Sequence, residues 1–190
     1  MGLFNSSQQY GALTKLLHWL IVAIFCFQYF AGNVMLMMDG KSVVLGLTQG
    51  NYFSWHKSIG LIALAVAIVR LINRTFSGLP AWASTLTDRE KNVIHWYEKL
   101  LYFGMFLMPI SGYVYVMAGG YGVHFFELFH LPNPIGKWKL LAVTAQWTHF
   151  IAAYAIVAAL VAHLVVVFRH QFFVKDNLLG RMLPGRKSRD

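Results

Sequence analysis

From Leu140 to Phe168 the chain reads LLAVTAQWTHFIAAYAIVAALVAHLVVVF, with no Asp, Glu, Lys or Arg and with histidines at 149 and 163. A bilayer core about 30 Å thick is crossed by roughly 20 apolar residues in a helix, and this run is longer than that. Three further segments meet the same condition. Leu16 to Met38 is uncharged, a stretch from about Tyr52 to Ile72 holds Lys57 and Arg70 near its ends, and Leu100 to Phe126 is uncharged, with Gly119, Gly120 and Gly122 ending its helix near Ala118. The expectation is an all-α integral membrane protein in a single membrane domain, 1–190. Its helices fall at about 10–38, 52–74, 88–118 and 140–172, its outer loop at 119–139 and its tail at 175–190.

Composition supports that reading. The 190 residues are 57% apolar and 12% charged, half the share of about 25% found in soluble domains, which excludes a soluble enzyme. At 16% aromatic the chain is not disordered. Cys26 is the one cysteine, so neither an internal disulfide nor a cysteine-held zinc or iron–sulfur centre can form. The net charge of +9 raises nucleic acid as a partner. The basic residues sit between apolar runs rather than along one face, which excludes it. The 23 apolar residues of the first run exceed a signal peptide's apolar stretch of about 7–15. The start Met1-Gly2-Leu3-Phe4-Asn5-Ser6 fits a myristoylation pattern, read as chance because four spans already anchor the chain.

Of sixteen Lys and Arg, twelve lie in the N-terminus, second loop and tail: Lys15, Arg70, Arg74, Arg89, Lys91, Lys99, Arg169, Lys175, Arg181, Arg186, Lys187 and Arg189. Lys41, Lys57, Lys137 and Lys139 lie on the other side. The positive-inside rule then puts both termini in the cytoplasm. Thr87-Asp88-Arg89-Glu90 is a capping box that starts the third helix near Asp88. Ser77-Gly78-Leu79-Pro80 makes the preceding loop. Val123 to Phe129 is compatible with a short interfacial helix before Pro132 and Pro134. Trp19, Trp55, Trp96, Trp138 and Trp147 fall near span ends, as an interface belt does.

An ionisable side chain inside a span is costly and points to function. His149 and His163 are fourteen residues apart, which leaves them about 40° from the same helix face and about 21 Å apart along the axis. One ion cannot use both, but two stacked haems can use one each. Opposite helix directions put His18 level with His163 and His56 level with His149, giving two depth-matched pairs. Two neutral imidazoles on an iron leave no open position, which suits electron transfer. Gly60, Ala145, Ala153 and Ala159 would admit a porphyrin face, though they equally suit close helix packing. His170 continues the His163 stripe by one heptad. Two roles are open to it: hydrogen bonding or proton donation to a quinone carbonyl, or an interfacial contact with lipid phosphate or a haem propionate. His95 has the same alternatives, while His124 and His130 read as solvated loop residues. Arg70 and Arg74, one turn apart, suit either haem propionates or lipid headgroups.

Leu17-His18-Trp19-Leu20, Trp55-His56-Lys57-Ser58-Ile59-Gly60, Val69-Arg70-Leu71 and Met108-Pro109-Ile110-Ser111-Gly112-Tyr113 resemble the bacterial cytochrome b561 family of small di-haem inner-membrane cytochromes. So does the ending His170-Gln171-Phe172-Phe173-Val174-Lys175-Asp176-Asn177 with Arg181-Met182-Leu183-Pro184. The resemblance runs from about Tyr10 to Pro184. It implies a four-helix bundle with two b haems on His18, His56, His149 and His163, and electron exchange with membrane quinone. One kind of member oxidises superoxide at the outer face and reduces ubiquinone, and the position of His170 is associated there with the quinone side.

Three functions follow as expectations. The first is an electron conduit, a probable oxidoreductase: an outer donor, superoxide or a redox partner, reduces the His56–His149 haem, and electrons leave by the His18–His163 haem to quinone near His170. Lys57 and Lys137, with Lys41 and Lys139, outnumber Asp39 and Glu127 on the outer face, a field that attracts an anion, although interfacial lysines also snorkel. Glu127 beside His124 suits proton transfer or solvation. The second function is a haem b anchor subunit for a partner dehydrogenase or hydrogenase. The third, a haem-free transporter of metal or protons, lacks the paired Gly/Pro-interrupted repeats that transporters carry. Oligomeric state is not readable from the residues.

Overall fold

The computed structural model describes residues 2–176 and 178–183. Asn177, Pro184 and the tail cations Arg186, Lys187 and Arg189 lie outside the described residues. Four long helices carry the chain: α1 (Ala12–Met37), α2 (Gln49–Ser77), α3 (Asp88–Ala118) and α4 (Lys139–Phe168), the last continued by a π-helical turn, Arg169–Val174. All four are long and apolar enough to cross a membrane.

Local chemistry sets the boundaries. Thr87 and Glu90 cap α3 reciprocally: the Thr87 N–H donates to Glu90 Oε2 at 2.9 Å and the Glu90 N–H to Thr87 Oγ1 at 3.3 Å. Helix α2 starts before Tyr52 because Thr48 and Asn51 make the same exchange, at 2.9 and 3.3 Å. Asparagine in the role of Glu or Gln hides that box from a sequence scan. A two-residue hairpin, β1 (Val43–Val44) with β2 (Leu47–Thr48), joins α1 to α2.

The loop after α3 differs from expectation. Residues 124–130 form a hairpin, β3 (His124–Phe125) paired with β4 (Phe129–His130), and not a short interfacial helix. Phe126 and Glu127 take φ of +47° and +60°, which turns the chain back on itself, and the Leu128 N–H donates to Phe125 O at 2.9 Å. Consecutive left-handed residues make a hairpin turn and cannot continue a right-handed helix.

Where the sequence suggests one domain, packing separates the chain into two compact units. The first is Met1–Leu20, Val66–Gly104 and Ala153–Asp190; the second is Ile21–Ala65 and Met105–Ala152. In the first, Lys15 is buried and its Nζ donates to Leu183 O at 3.1 Å, while Trp19 Nε1 donates to Met182 O at 2.9 Å. These bonds dock residues 178–183 on the start of α1. In the second, Ala31, Met38 and Tyr52 form a core with Phe27, Val34, Met35, Val44 and Leu47 around it.

Helix α4 inverts the pattern of a soluble helix. Ala142, Ala145, Ala152 and Ala159 are buried, while Leu140, Ile151, Tyr154 and Val165 are exposed. Small residues let helices approach closely and the large apolar ones meet lipid, as membrane helices require.

Candidate functional site

In the second unit, α2 carries His56 and α4 carries His149, with ring centroids 6.2 Å apart and planes at 78°. His149 Nδ1 lies 2.9 Å from the Met108 carbonyl of α3. A carbonyl only accepts, so Nδ1 bears the hydrogen and Nε2 keeps the lone pair a metal needs. Ser111 Oγ, 3.3 Å from the same Nδ1, holds the ring from a second side, and itself donates to Leu107 O at 2.6 Å. Gly112 completes the seat: a Cβ there would stand 2.9 Å from His149 Cε1 and 3.1 Å from Nδ1, so only glycine admits the ring without displacement. His56 Nδ1 is buried with no hydrogen-bond partner, and its backbone carbonyl accepts from Gln28 Nε2 at 3.0 Å.

In the first unit, α1 carries His18 and α4 carries His163, with centroids 6.4 Å apart and planes at 56°. Tyr97 of α3 sits edge-on to His163 at 5.4 Å. Arg70 of α2 brings Nη1 and Nη2 each to 3.4 Å from His18 Nδ1, and its Nε donates to Tyr102 OH at 3.2 Å. Arg74 pairs with Glu98, and its guanidinium lies over the Tyr102 ring at 4.9 Å. A cavity of about 40 Å³ opens among Tyr10, Arg70, Asn73, Arg74, Glu98 and Tyr102.

Two metal–imidazole bonds of about 2.0–2.1 Å, with about 1.1 Å from each nitrogen to its ring centre, span about 6.3 Å. Both pairs have that spacing. Among the described residues, no cluster of three or more His, Cys, Asp or Glu is arranged to hold a metal ion. Each pair therefore offers two axial donors and leaves the equatorial ligands to something else, which is what a porphyrin supplies. The orphaned His56 nitrogen, the seated His149 and the spacing all fit haem.

The remaining predicted site residues are placed as follows. His170, fully buried in the π-helical turn, has Nδ1 2.6 Å from Asp176 Oδ2 and Nε2 3.3 Å from Glu90 Oε1. Arg169 also pairs with Glu90, and Thr85 hydrogen bonds Asp176. Burial pushes the Asp176 carboxyl up, but hydrogen bonds from Thr85, His170 and the Leu178 N–H outweigh it and hold the group below the usual carboxylate range. Lys57 Nζ donates to Gly122 O at 3.1 Å, and the Lys137 side chain packs over Gly120. His95 is exposed on α3. The sequence reading misses the seat of His149, although Met108, Ser111 and Gly112 stand together in a quoted motif, because a backbone carbonyl carries no side-chain signal. It also takes Glu90 for a cap alone, whereas Glu90 meets His170 and Arg169 as well.

A family model described as Prokaryotic cytochrome b561 matches residues 9–185. The chain is 28% identical to cytochrome b561 homolog 2 of Escherichia coli (strain K12), over 100% of this chain and 98% of that one. It is 30% identical to cytochrome b562 of Cereibacter sphaeroides, over 93% of this chain and 96% of that one.

Proposed function

Since the chain belongs to the prokaryotic cytochrome b561 family and is a bacterial multi-pass membrane haem b electron-transfer protein, we propose that it holds two b haems and passes electrons from an outer-face donor to quinone. The observation that carries this reading is the pair of imidazole couples, His56–His149 and His18–His163, at 6.2 and 6.4 Å. Bound there, haem supplies reversible one-electron chemistry at an iron with no open position.

The protein's own groups do the rest. Met108 O and Ser111 fix the His149 tautomer and ring plane, which raises its basicity as a ligand. Arg70 has a different task. A guanidinium has no acceptor, and a His18 that gives Nε2 to iron presents Nδ1–H, so two donors would face each other. Arg70 is then free to turn from His18 to an anion, and a haem propionate is the anion a bis-histidine site brings. Arg74 reaches the same cavity while shared with Glu98.

Electrons enter at the His56–His149 pair and leave at the His18–His163 pair, with the chain in the inner membrane and both termini cytoplasmic, as the distribution of Lys and Arg supports. The donor is superoxide: Lys57 and Lys137, held along residues 120–122, add positive charge at the outer face and draw in an anion. Two superoxide ions lose one electron each to give two O2, and one quinone takes two electrons and two protons to give quinol. Both nitrogens of His170 face carboxylates, so His170 keeps a proton between Glu90 and Asp176 and acts on the quinone side through that cluster as a positioning residue.

The test is an optical spectrum with haem stoichiometry on detergent-purified protein. Two b haems per chain, reduced by superoxide and reoxidised by quinone, are expected. Reduction by dithionite or quinol alone would move the assignment to an anchor subunit serving a partner dehydrogenase or hydrogenase. A colourless protein would overturn the ligand assignment.

A further inference from the structure

We propose that the hairpin after α3 is a transition-metal site, with His124 and His130 as ligands for one divalent ion of the imidazole-preferring kind, such as zinc or copper. The two histidines are the register pair across β3 and β4, and residues directly opposite share a face of the ribbon. Their rings are in contact, with centroids 3.4 Å apart and planes tilted by 59°. Both lie at the surface, His124 half-buried and His130 exposed. A small rotation of each side chain opens the contact to an ion, whose remaining positions water fills. Two neutral imidazoles from one short ribbon are the donor set that zinc, copper and nickel favour over calcium or magnesium.

The third element is Glu127. Its Oε2 stands 3.6 Å from His124 Nδ1, an ion-pair distance on the side of the ring away from Nε2. A carboxylate there orients an imidazole toward a metal and increases its basicity. Glu127 reaches that place because it and Phe126 hold left-handed backbone angles, a conformation that costs about 1–3 kcal/mol for such residues and concentrates at functional positions. The ribbon is also pinned. The Phe126 N–H donates to Ser58 Oγ at 2.8 Å, and Ser58 Oγ in turn lies 3.3 Å from His124 O. Its two histidines are therefore presented on a fixed backbone, and neither belongs to the haem couples.

The experiment uses the full, haem-loaded chain in detergent without a histidine tag, titrated with ZnCl2 by calorimetry, and with Cu2+ followed by electron paramagnetic resonance. One ion per chain with nitrogen hyperfine structure from two imidazoles is expected. His124→Gln and His130→Gln should each weaken binding tenfold or more, and Glu127→Gln by about 10–100-fold, with the haem spectrum unchanged as the mark of an intact fold. If the wild-type chain takes up no zinc, or the double variant His124→Gln/His130→Gln binds as tightly as wild type, the proposal is wrong. Should the double variant lose its haem, the wild-type copper spectrum decides alone, because a signal with one nitrogen or none overturns the assignment.

Discussion

Replacing Gly112 by alanine tests how the second unit holds its histidine. The new Cβ would stand 2.9 Å from His149 Cε1 and 3.1 Å from Nδ1, whereas carbon contacts settle at about 3.5–4.0 Å. The ring must retreat by at least about 0.6 Å, more than the roughly 0.5 Å a working constellation tolerates. The same retreat stretches the 2.9 Å contact between Nδ1 and Met108 O beyond the roughly 3.2 Å limit of a good hydrogen bond. A ligand robbed of its orienting partner loses about 10–100-fold in metal affinity. The assay is haem content per chain with low-temperature electron paramagnetic resonance of the oxidised protein. Gly112→Ala should lose or shift one of two haem signals and leave the other intact. Gly104→Ala is the control on the same helix: its Cβ would meet the Ile156 side chain at 2.6 Å, a flexible aliphatic group that can move, so both haem signals should persist. Two unaltered signals in Gly112→Ala would refute the seat built from Met108, Ser111 and Gly112.

Other expectations concern the first unit and the outer lysines. Arg70→Gln removes the guanidinium from His18 and Tyr102, and should shift the midpoint potential and affinity of one haem in redox titration while the other stays within error. Thr87→Ala deletes half of the α3 cap, at a cost of about 1 kcal/mol, and should lower the melting temperature without changing the haem spectrum. Asp176 has a carboxyl held below its usual range, so its contribution to stability is complete above the ordinary carboxylate value and is lost as pH falls through the lowered one. Asp176→Asn should therefore melt several degrees below wild type at pH 7, and the gap should close below about pH 4. Lys57→Gln removes the bond to Gly122 O and one outer charge. It should slow reduction by superoxide severalfold and flatten the salt dependence of the rate, measured by stopped flow.

Four helices and four liganding histidines are legible from one dimension because both rest on local or periodic properties. Uncharged runs of bilayer length identify the helices, and the place of each histidine within its run sets its depth. Thr87 and Glu90 are legible for the same reason, since a capping box lies within one turn. The hairpin at 124–130 is not, because aromatic and histidine residues suit an interfacial helix as well as a ribbon. What selects the ribbon is a pair of left-handed residues and the anchoring of Phe126 by Ser58, 68 positions away in sequence. His170 is similar: its heptad spacing from His163 says which stripe it continues, but not that Asp176 and Glu90 occupy both its nitrogens. The sequence by itself determined the spans and which side chains can face iron, for these follow from hydropathy and helix period. Only the tertiary structure decided what stands behind each ligand, because carbonyls such as Met108 O and missing side chains such as that of Gly112 act by position in space, which composition and spacing do not encode.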